Sequence, residues 1–166
     1  MTRGLVALRF WGDPRVSAEA LAEALSGARP PMVVDVRGAD EFAVSHLRGA
    51  LSAPLDGVEA ALAGVDRGRA LVAVCSVGYR SGAAARRLRA AGFRDVRNLD
   101  GGLFGWVNGG RTLESGGAAT RAVHPYSALW ATLIRAPARA ERGALTRGGA
   151  RPARARPGAA AAPPRR

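Results

Sequence analysis

The sequence predicts an α/β domain built around a mostly parallel sheet, and two patterns support this prediction. Short apolar runs alternate with segments whose apolar residues recur at helical spacing. The links between them are short, which is typical of strand–helix–strand units. The strongest strand candidate is the run Ala-Leu-Val-Ala-Val-Cys that ends at Cys75, because a continuous apolar stretch indicates a strand covered on both faces.

The other elements follow in order along the chain. The first helix is predicted over 17–27, with Ser17 as its N-cap and Gly27 at its end. Its apolar stripe is expected to be Ala20, Leu21, Ala24 and Leu25. Short strands are predicted within 31–37, 49–54 and 95–99, and helical segments within 39–47, 55–65, 81–93 and 100–110. The helix in 81–93 is expected to stop at Gly92.

The chain is predicted to hold one domain, residues 1–134, followed by a disordered tail, residues 135–166. A helical extension of the domain over about 125–134 would present one apolar face: Tyr126, Leu129, Trp130 and Leu133. The tail is rich in Arg, Ala, Pro and Gly and almost without bulky apolar residues. It therefore cannot bury enough surface to offset the entropy of ordering.

The net charge of +12 is concentrated in that tail. Residues 1–134 hold 16 Arg against 12 acids, whereas the last 32 residues hold 9 Arg against Glu141 alone. No aromatic residue is interleaved among the tail arginines, so nucleic-acid binding by base stacking is not expected. Counterion release would still allow the tail to contact a polyanion, but a solvated extension is the simpler interpretation.

The number of cysteines and the length of the apolar runs indicate the cellular compartment that is expected for the chain. Cys75 is the sole cysteine, so no internal disulfide is possible. No apolar run has the length of a signal peptide or a membrane span, and a reducing cytoplasm is expected. His124 has no cysteine and few acids to complete a metal site, and neither a metal nor a cofactor is expected.

The segment after Cys75 has the features of an anion-holding loop. Cys75 ends the most apolar strand, and a helix begins near Arg80 or Ser81. A loop curled around the sulfur, with Gly78 supplying backbone freedom, would point several N–H groups inward. Those dipoles, the helix start and Arg80 would favour thiolate over thiol and so activate a nucleophile. A buried, inert cysteine remains the alternative.

The stretch Cys-Ser-Val-Gly-Tyr-Arg-Ser (75–81) resembles the active-site loop of rhodanese-family sulfurtransferases. Three further segments are similar to the family pattern in the same order: 16–25, 33–55 and 92–106. The resemblance covers about 16–106. It implies a five-stranded parallel sheet flanked by helices, and the chemistry of sulfane-sulfur transfer.

The resemblance also implies roles for individual residues. Cys75 would attack a small anionic sulfur donor and become a persulfide, in a double displacement. The backbone amides that cradle this sulfur would be those of Ser76, Val77, Gly78, Tyr79, Arg80 and Ser81. Arg80 would bind the donor. With one cysteine in the chain, the acceptor must be external: a small thiol, a carrier-protein thiol, or cyanide in the test tube.

The chain departs from the family pattern in two places. Ser76 stands where thiosulfate-preferring members commonly have a basic residue, which argues against thiosulfate as the physiological donor. Ser45 and Arg48 stand where the family usually has Gly and Pro, and are interpreted as tolerated turn variations.

Several other polar and aromatic residues are given structural roles. Asp35, Arg37 and His46 are interpreted as structural groups, with an ion pair holding the turn after the strand, and not as a catalytic triad. Tyr79 is expected to shape the pocket mouth, and Ser81 to cap the helix beside the sulfur. The indoles of Trp106 and Trp130 are expected in the core.

Two competing functions are weighed against sulfur transfer. Phosphatases and arsenate reductases related to this fold have one residue more between Cys and Arg, because a phosphoryl group needs a wider ring of amides. The four residues between Cys75 and Arg80 therefore favour sulfur chemistry. A non-catalytic rhodanese-like module for docking or regulation is the second alternative, although inactive versions generally lose the cysteine.

Overall fold

One five-stranded sheet forms the centre of the molecule in the computed structural model, which describes residues 12–125 and 130–134. Its strands are β1 (Arg15–Val16), β2 (Met32–Asp35), β3 (Leu51–Ser52), β4 (Leu71–Val74) and β5 (Val96–Leu99). They lie in the order β1-β5-β4-β2-β3, and every pairing is parallel. The predicted fold class, an α/β domain around a parallel sheet, is confirmed.

Within the described residues, five α-helices connect or follow these strands: α1 (Ala18–Leu25), α2 (Ala39–Val44), α3 (Val58–Ala61), α4 (Tyr79–Ala90) and α5 (Gly102–Asn108). Short 3₁₀ turns occur at Leu55–Gly57 and Trp130–Leu133. None of the helices in the described ranges is long and apolar enough to cross a membrane.

The core lies on both faces of the central strand β4, whose four residues are all buried. On one face, Val72 and Val74 pack in a cluster with residues of α1 and α5, including Leu21 and Leu103. On the other face, Leu71 and Ala73 belong to a cluster with residues of α4. Burial on both faces explains why the sequence of β4 is a continuous apolar run.

Helix α1 begins at the predicted N-cap, but the set of apolar residues that it turns toward the core differs from the predicted set. The Ser17 hydroxyl accepts a hydrogen bond from the Ala20 N–H at 3.1 Å, as an N-cap does. The residues toward the core are Ala18, Leu21, Ala22 and Leu25. The predicted stripe was wrong at Ala20, which is exposed. Both stripes contain Leu21 and Leu25, and alanines flank these leucines on each side. The apolar pattern therefore does not fix the rotation of the helix about its axis, and packing against the sheet decides it.

A small antiparallel hairpin, β6 (Leu113–Ser115) and β7 (Ala118–Thr120), was not predicted. Its two turn residues, Gly116 and Gly117, have φ of 55° and 82°, the positive values that a two-residue hairpin turn requires. The strands are short and half polar, so they lack an alternation that periodicity could detect.

The predicted C-terminal helix is only partly covered by the described residues. Its first turn, 126–129, lies outside them, and Trp130–Leu133 form a 3₁₀ turn. Ile134 is 2% exposed and joins the α1–α5 side of the core. The predicted disordered tail, residues 135–166, lies outside the described part of the chain. The Trp106 indole is buried as predicted, whereas the side chain of Trp130 lies outside the described part.

Candidate active site

Cys75 lies at the carboxyl end of the central strand, where the sequence placed it. Strand β4 ends at Val74, and α4 starts at Tyr79, so two loop residues, Ser76 and Val77, separate the cysteine from the helix cap. Cys75 is a free thiol and is 1% exposed. In a parallel sheet this edge is where ligands meet the N-termini of the following helices.

Gly78 turns the loop back onto the sulfur. It is the N-cap of α4 with φ of 96°, a left-handed conformation that favours glycine. The backbone N–H of Gly78 donates to Cys75 Sγ at 3.2 Å. Of the six predicted backbone donors, the structure brings this one to the sulfur.

Ser81 supplies a side-chain contact to the same sulfur. Its Oγ lies 3.3 Å from Cys75 Sγ and 2.7 Å from Oδ1 of Asn98. The prediction that Ser81 caps α4 was wrong, because Gly78 is the cap and Ser81 lies within the first turn. The helix begins two residues earlier than its apolar pattern indicated.

Asn98 is a site residue that the sequence analysis missed. It is 1% exposed on β5, beside the central strand, and its Nδ2 donates to the Gly78 carbonyl oxygen at 2.8 Å. A buried amide must satisfy its donors and acceptors, and Asn98 does so with the loop that surrounds Cys75. The available signal was the strand alternation, which puts the polar Asn98 on the same face as the buried Val96 and opposite the exposed Arg97.

A second polar cluster lies on the outer side of the loop. Glu41 of α2 accepts two hydrogen bonds from Arg80, at 2.7 Å from Nη1 and 2.8 Å from Nη2. The Ser76 hydroxyl donates to Glu41 Oε1 at 3.1 Å and accepts from Arg80 Nη2 at 3.2 Å. Sequence analysis selected Arg80 and Ser76 but not Glu41, which is 39 residues from Arg80 in the chain.

The groups of this cluster keep the Glu41 carboxyl in its ionised form. Burial alone would raise the pKa of the Glu41 carboxyl. The hydrogen bonds and charge of Arg80, followed by the Gly38 N–H and the Ser76 hydroxyl, outweigh burial and hold this pKa below its ordinary value. The pair is therefore ionised at neutral pH, and Glu41 offsets the charge of Arg80.

The N-terminus of α5 holds the backbone of the cysteine loop from the opposite side. Leu103 N–H donates to the Cys75 carbonyl at 2.9 Å, and Phe104 N–H donates to the Ser76 carbonyl at 3.0 Å. A Cβ at Gly102 would lie 2.5 Å from the Cys75 carbonyl oxygen, so only glycine allows this approach. This contact explains the second glycine of the Gly-Gly pair, and the first, Gly101, is the N-cap of α5 with φ of 71°.

Asp35, Arg37 and His46 form a structural group in the β2–β3 connection. Arg37 pairs with Asp35 at 2.7 Å and donates to the Ser45 carbonyl oxygen at 2.6 Å. His46 Nδ1 is 3.0 Å from the Phe42 carbonyl oxygen, and its ring stacks on Phe42. None of the side-chain hydrogen bonds or ion pairs found for these three residues in the described ranges is with Cys75, which supports the structural interpretation.

The two turn variations have partners in the unpredicted hairpin region. Ser45 Oγ donates to the Ala122 carbonyl oxygen at 2.7 Å, and Arg48 pairs with Glu114 of β6 at 3.0 Å. These residues tie the β2–β3 connection to the β6–β7 segment. The departures from the family pattern at these positions thus accompany contacts with the segment after α5.

Tyr79 is 51% exposed and is the one exposed large hydrophobic side chain among the described residues. It stands at the first position of α4, beside Gly78. Val77 is half-buried and packs against the α1–α5 side of the core. The Tyr79 side chain is therefore exposed to solvent, whereas the Val77 side chain packs toward the core.

Within the described ranges, no group of three or more His, Cys, Asp or Glu could hold a metal ion.

Comparison with known proteins places this loop in a family. A family model described as Rhodanese-like domain matches residues 17–109. The thiosulfate sulfurtransferase GlpE of Pseudomonas fluorescens strain Pf0-1 is 38% identical over 93 residues, which cover 56% of this chain and 81% of that protein. The putative sulfur carrier protein YrkF of Bacillus subtilis is 29% identical over 94 residues, covering 57% of this chain.

The match with YrkF spans about half of that relative's length, 51%. Among solved structures, the rhodanese-like domain protein of Staphylococcus aureus is 28% identical, with a TM-score of 0.56, and the match covers 61% of this chain and 97% of that one. The family match covers more than half of the 166 residues and includes every element from α1 to α5. The sequence, the sheet order and the cysteine loop agree: this chain belongs to the rhodanese-like domain family.

Proposed function

We propose that this protein is a sulfurtransferase that moves a sulfane sulfur from a donor, thiosulfate or a similar compound, to a thiol or cyanide through a persulfide on Cys75. The observation that carries the proposal is the placement of the sole thiol. Cys75 directly follows the last residue of the central strand. Its sulfur accepts a hydrogen bond from the Gly78 N–H at 3.2 Å, and the Ser81 hydroxyl lies 3.3 Å from the same sulfur. Donors aimed at a buried sulfur stabilise negative charge on it.

The first step is attack of the Cys75 thiolate on the outer sulfur of the donor. A bond forms between Sγ and that sulfur, and the bond from that sulfur to the rest of the donor breaks. The electron pair leaves with the departing group, which is sulfite when the donor is thiosulfate. The second step reverses the roles: the acceptor attacks the terminal sulfur, and the electron pair of the broken bond returns to Sγ.

Arg80 is proposed to contribute to donor binding together with the loop residues: Ser76, Val77, Gly78, Tyr79 and Ser81. The Arg80 side chain is 27% exposed, so part of it is open to solvent. Glu41 nevertheless offsets its charge, and the Ser76 hydroxyl is engaged by the same ion pair. The donor site is therefore less positive than Arg80 alone would make it, which supports donors other than thiosulfate.

The acceptor is proposed to be an external thiol, on a small molecule or on a carrier protein. Cys75 has no second cysteine in the chain to displace its persulfide sulfur. A relative named as a putative sulfur carrier protein supports a protein acceptor. A reducing cytoplasm is the proposed location, because a free thiol persists there.

The test is sulfur loading and transfer by the full-length protein. After incubation with thiosulfate or mercaptopyruvate, mass spectrometry is expected to find one added sulfur on the peptide that contains Cys75. Cys75→Ala is expected to abolish loading and transfer while circular dichroism shows an unchanged fold. Transfer retained by Cys75→Ala would refute the proposal.

A non-catalytic docking module is the second candidate, and two observations favour it. The sulfur belongs to a residue only 1% exposed, and Arg80 is already paired with Glu41. The same experiment separates the candidates, because a docking module loads no sulfur on Cys75 from any donor.

A further inference from the structure

A chain of buried polar groups links the Cys75 sulfur to strand β5, on the inner side of the loop. Ser81 Oγ lies between Cys75 Sγ, at 3.3 Å, and Asn98 Oδ1, at 2.7 Å. Asn98 Nδ2 continues the chain to the Gly78 carbonyl oxygen at 2.8 Å. Cys75, Ser81 and Asn98 are each at most 1% exposed, so water does not complete their hydrogen bonds.

The direction of the Asn98 amide follows from its partner. A carbonyl oxygen only accepts hydrogen bonds, so the group that meets the Gly78 carbonyl must be the amide nitrogen. The amide oxygen then points to Ser81, and it also only accepts. Ser81 must therefore donate its hydroxyl hydrogen to make the 2.7 Å contact with Asn98.

Ser81 has a single hydroxyl hydrogen, and two groups compete for it. When Cys75 is a thiol, its S–H can donate to Ser81 Oγ, Ser81 donates to Asn98, and every group in the chain is satisfied. When Cys75 is a thiolate, the sulfur has no hydrogen and requires donors. Ser81 must then turn its hydrogen to the sulfur and leave the buried Asn98 oxygen without this donor, which costs free energy.

We propose that Asn98 is a positioning residue that competes with the Cys75 sulfur for the hydroxyl hydrogen of Ser81, and that this competition favours the thiol in the resting protein. The inference rests on the proposed function only in treating Cys75 as the nucleophile. It concerns the protonation of the sulfur, which can be measured without any sulfur transfer.

Charged and titratable groups also lie near the loop on the elements around it. They lie on β2 and its end, α2, α4 and the end of β5: Asp35, Arg37, Glu41, Tyr79, Arg80 and Asp100. Four of these groups form two ion pairs, Asp35 with Arg37 and Glu41 with Arg80, so their charges offset each other. All of them are unchanged in the variants proposed below, which isolates the effect of the hydroxyl hydrogen.

The test is the rate of alkylation of Cys75 by iodoacetamide as a function of pH, in the full-length protein. Ser81→Ala removes the donor to the thiolate, so its midpoint is expected to move up by about 1 pH unit. Asn98→Ala removes the competitor, so its midpoint is expected to move down by a similar amount. In the double variant Ser81→Ala/Asn98→Ala, the midpoint is expected to equal that of Ser81→Ala.

The opposite signs distinguish competition from a scaffolding role. If Asn98 acted only by anchoring the Gly78 carbonyl, its loss would loosen the Gly78 N–H at the sulfur and raise the midpoint. A midpoint raised or unchanged in Asn98→Ala, or an effect that persists in the Ser81→Ala background, would overturn the inference. Ser45→Ala is a matched control, because it deletes another buried serine hydroxyl away from Cys75 and is expected to leave the midpoint unchanged.

A measurement on the unaltered protein covers the case in which Asn98→Ala does not fold. The side-chain amide NMR signals of Asn98 are expected to titrate with the same midpoint as Cys75 alkylation, because Asn98 loses its donor when the thiolate forms. Signals that stay constant through that midpoint would count against the inference. A protein that shows these shifts yet loads no sulfur would refute the proposed function alone.

Discussion

Two arginine–carboxylate pairs, one at the end of β2 and one beside the cysteine loop, differ in their exposure. The pair of Asp35 and Arg37, at the end of β2, has both side chains 0% exposed. The pair of Glu41 and Arg80, beside the cysteine loop, has side chains 6% and 27% exposed. The first joins residues two apart in the sequence, whereas the second joins α2 to the first turn of α4.

This difference in exposure bears on the proposed donor binding, because only a guanidinium that is reached from outside can meet a ligand. The Arg37 guanidinium is closed in by protein and donates onward to the Ser45 carbonyl, so it holds a turn and reaches no ligand. Its Nη1 is the one buried side-chain nitrogen or oxygen without a hydrogen-bond partner among the described residues. The Arg80 guanidinium is partly open to solvent and contacts Ser76 in the loop. An anion can therefore be bound by Arg80 but not by Arg37.

Breaking the buried pair is expected to have the largest effect. Asp35→Asn removes the carboxylate that pairs with Arg37 and leaves an uncompensated charge in the core. The free energy of unfolding is expected to fall by about 3–5 kcal/mol, as found when one member of a buried pair is removed. Urea denaturation followed by circular dichroism measures this. A loss below about 1 kcal/mol would show that the pair does not stabilise the fold.

Neutralising Glu41 is expected to cost less stability and to change donor preference. Glu41→Gln retains hydrogen-bonding groups, and Arg80 still reaches water, so a loss of about 1–2 kcal/mol is expected. The freed charge of Arg80 is expected to raise kcat/KM for thiosulfate by about fivefold, because about 1 kcal/mol of attraction is gained. Arg80→Gln is expected to lower the same kcat/KM.

The control for this experiment is Glu59→Gln, which breaks the surface pair between Glu59 and Arg87, with side chains 35% and 42% exposed. Exposed pairs contribute little, so neither stability nor kcat/KM is expected to change measurably. A kcat/KM for thiosulfate that falls in Glu41→Gln would instead mean that Glu41 holds Arg80 in its binding position.

The smallest effect is the pH dependence of the Glu41 pair. The pKa of Glu41 in the folded protein lies below its ordinary value, because Arg80 and the other donors outweigh burial. Such a carboxylate stabilises the fold above its unfolded pKa, and this stability is lost as pH falls through the folded pKa. The stability difference between the unaltered protein and Glu41→Gln is therefore expected to be full at pH 7 and to shrink at acidic pH.

Urea denaturation of both proteins across this pH range provides the measurement. Each midpoint is converted to a free energy of unfolding, and the two curves are subtracted. A difference that stays constant from neutral to acidic pH would contradict the ionised pair. Asp35→Asn provides no substitute here, because its effect includes an unpaired charge in the core.

Much of the site was predictable because it is encoded locally. A continuous apolar run predicts a central strand, and the end of that run predicts that Cys75 lies at the carboxyl edge of the sheet. Gly78 predicts a tight turn, and Gly92, with φ of 95°, ends α4 as expected. The Asp35–Arg37 pair was also predicted, since its members lie two residues apart. In each case the physical cause acts over a few residues, within reach of periodicity and turn chemistry.

The remaining features depend on which strands are neighbours. Because β5 lies beside β4, Asn98 reaches Ser81 and Gly78, and because β2 lies on the other side, Glu41 reaches Arg80. The orientation of α1 and the partners of Ser45 and Arg48 are also set by packing between distant segments. No local pattern carries this information.

The sequence by itself determined the fold class, the family and the position of the cysteine loop, because hydrophobic periodicity, glycine turns and one cysteine loop are properties of contiguous residues. The tertiary structure decided what surrounds the sulfur. A neutral chain through Ser81 and Asn98 lies on the inner side of the loop, and an ion pair of Glu41 and Arg80 lies on the outer side. These partners are distant in the chain and meet only when the parallel sheet brings the ends of β2, β4 and β5 to one edge.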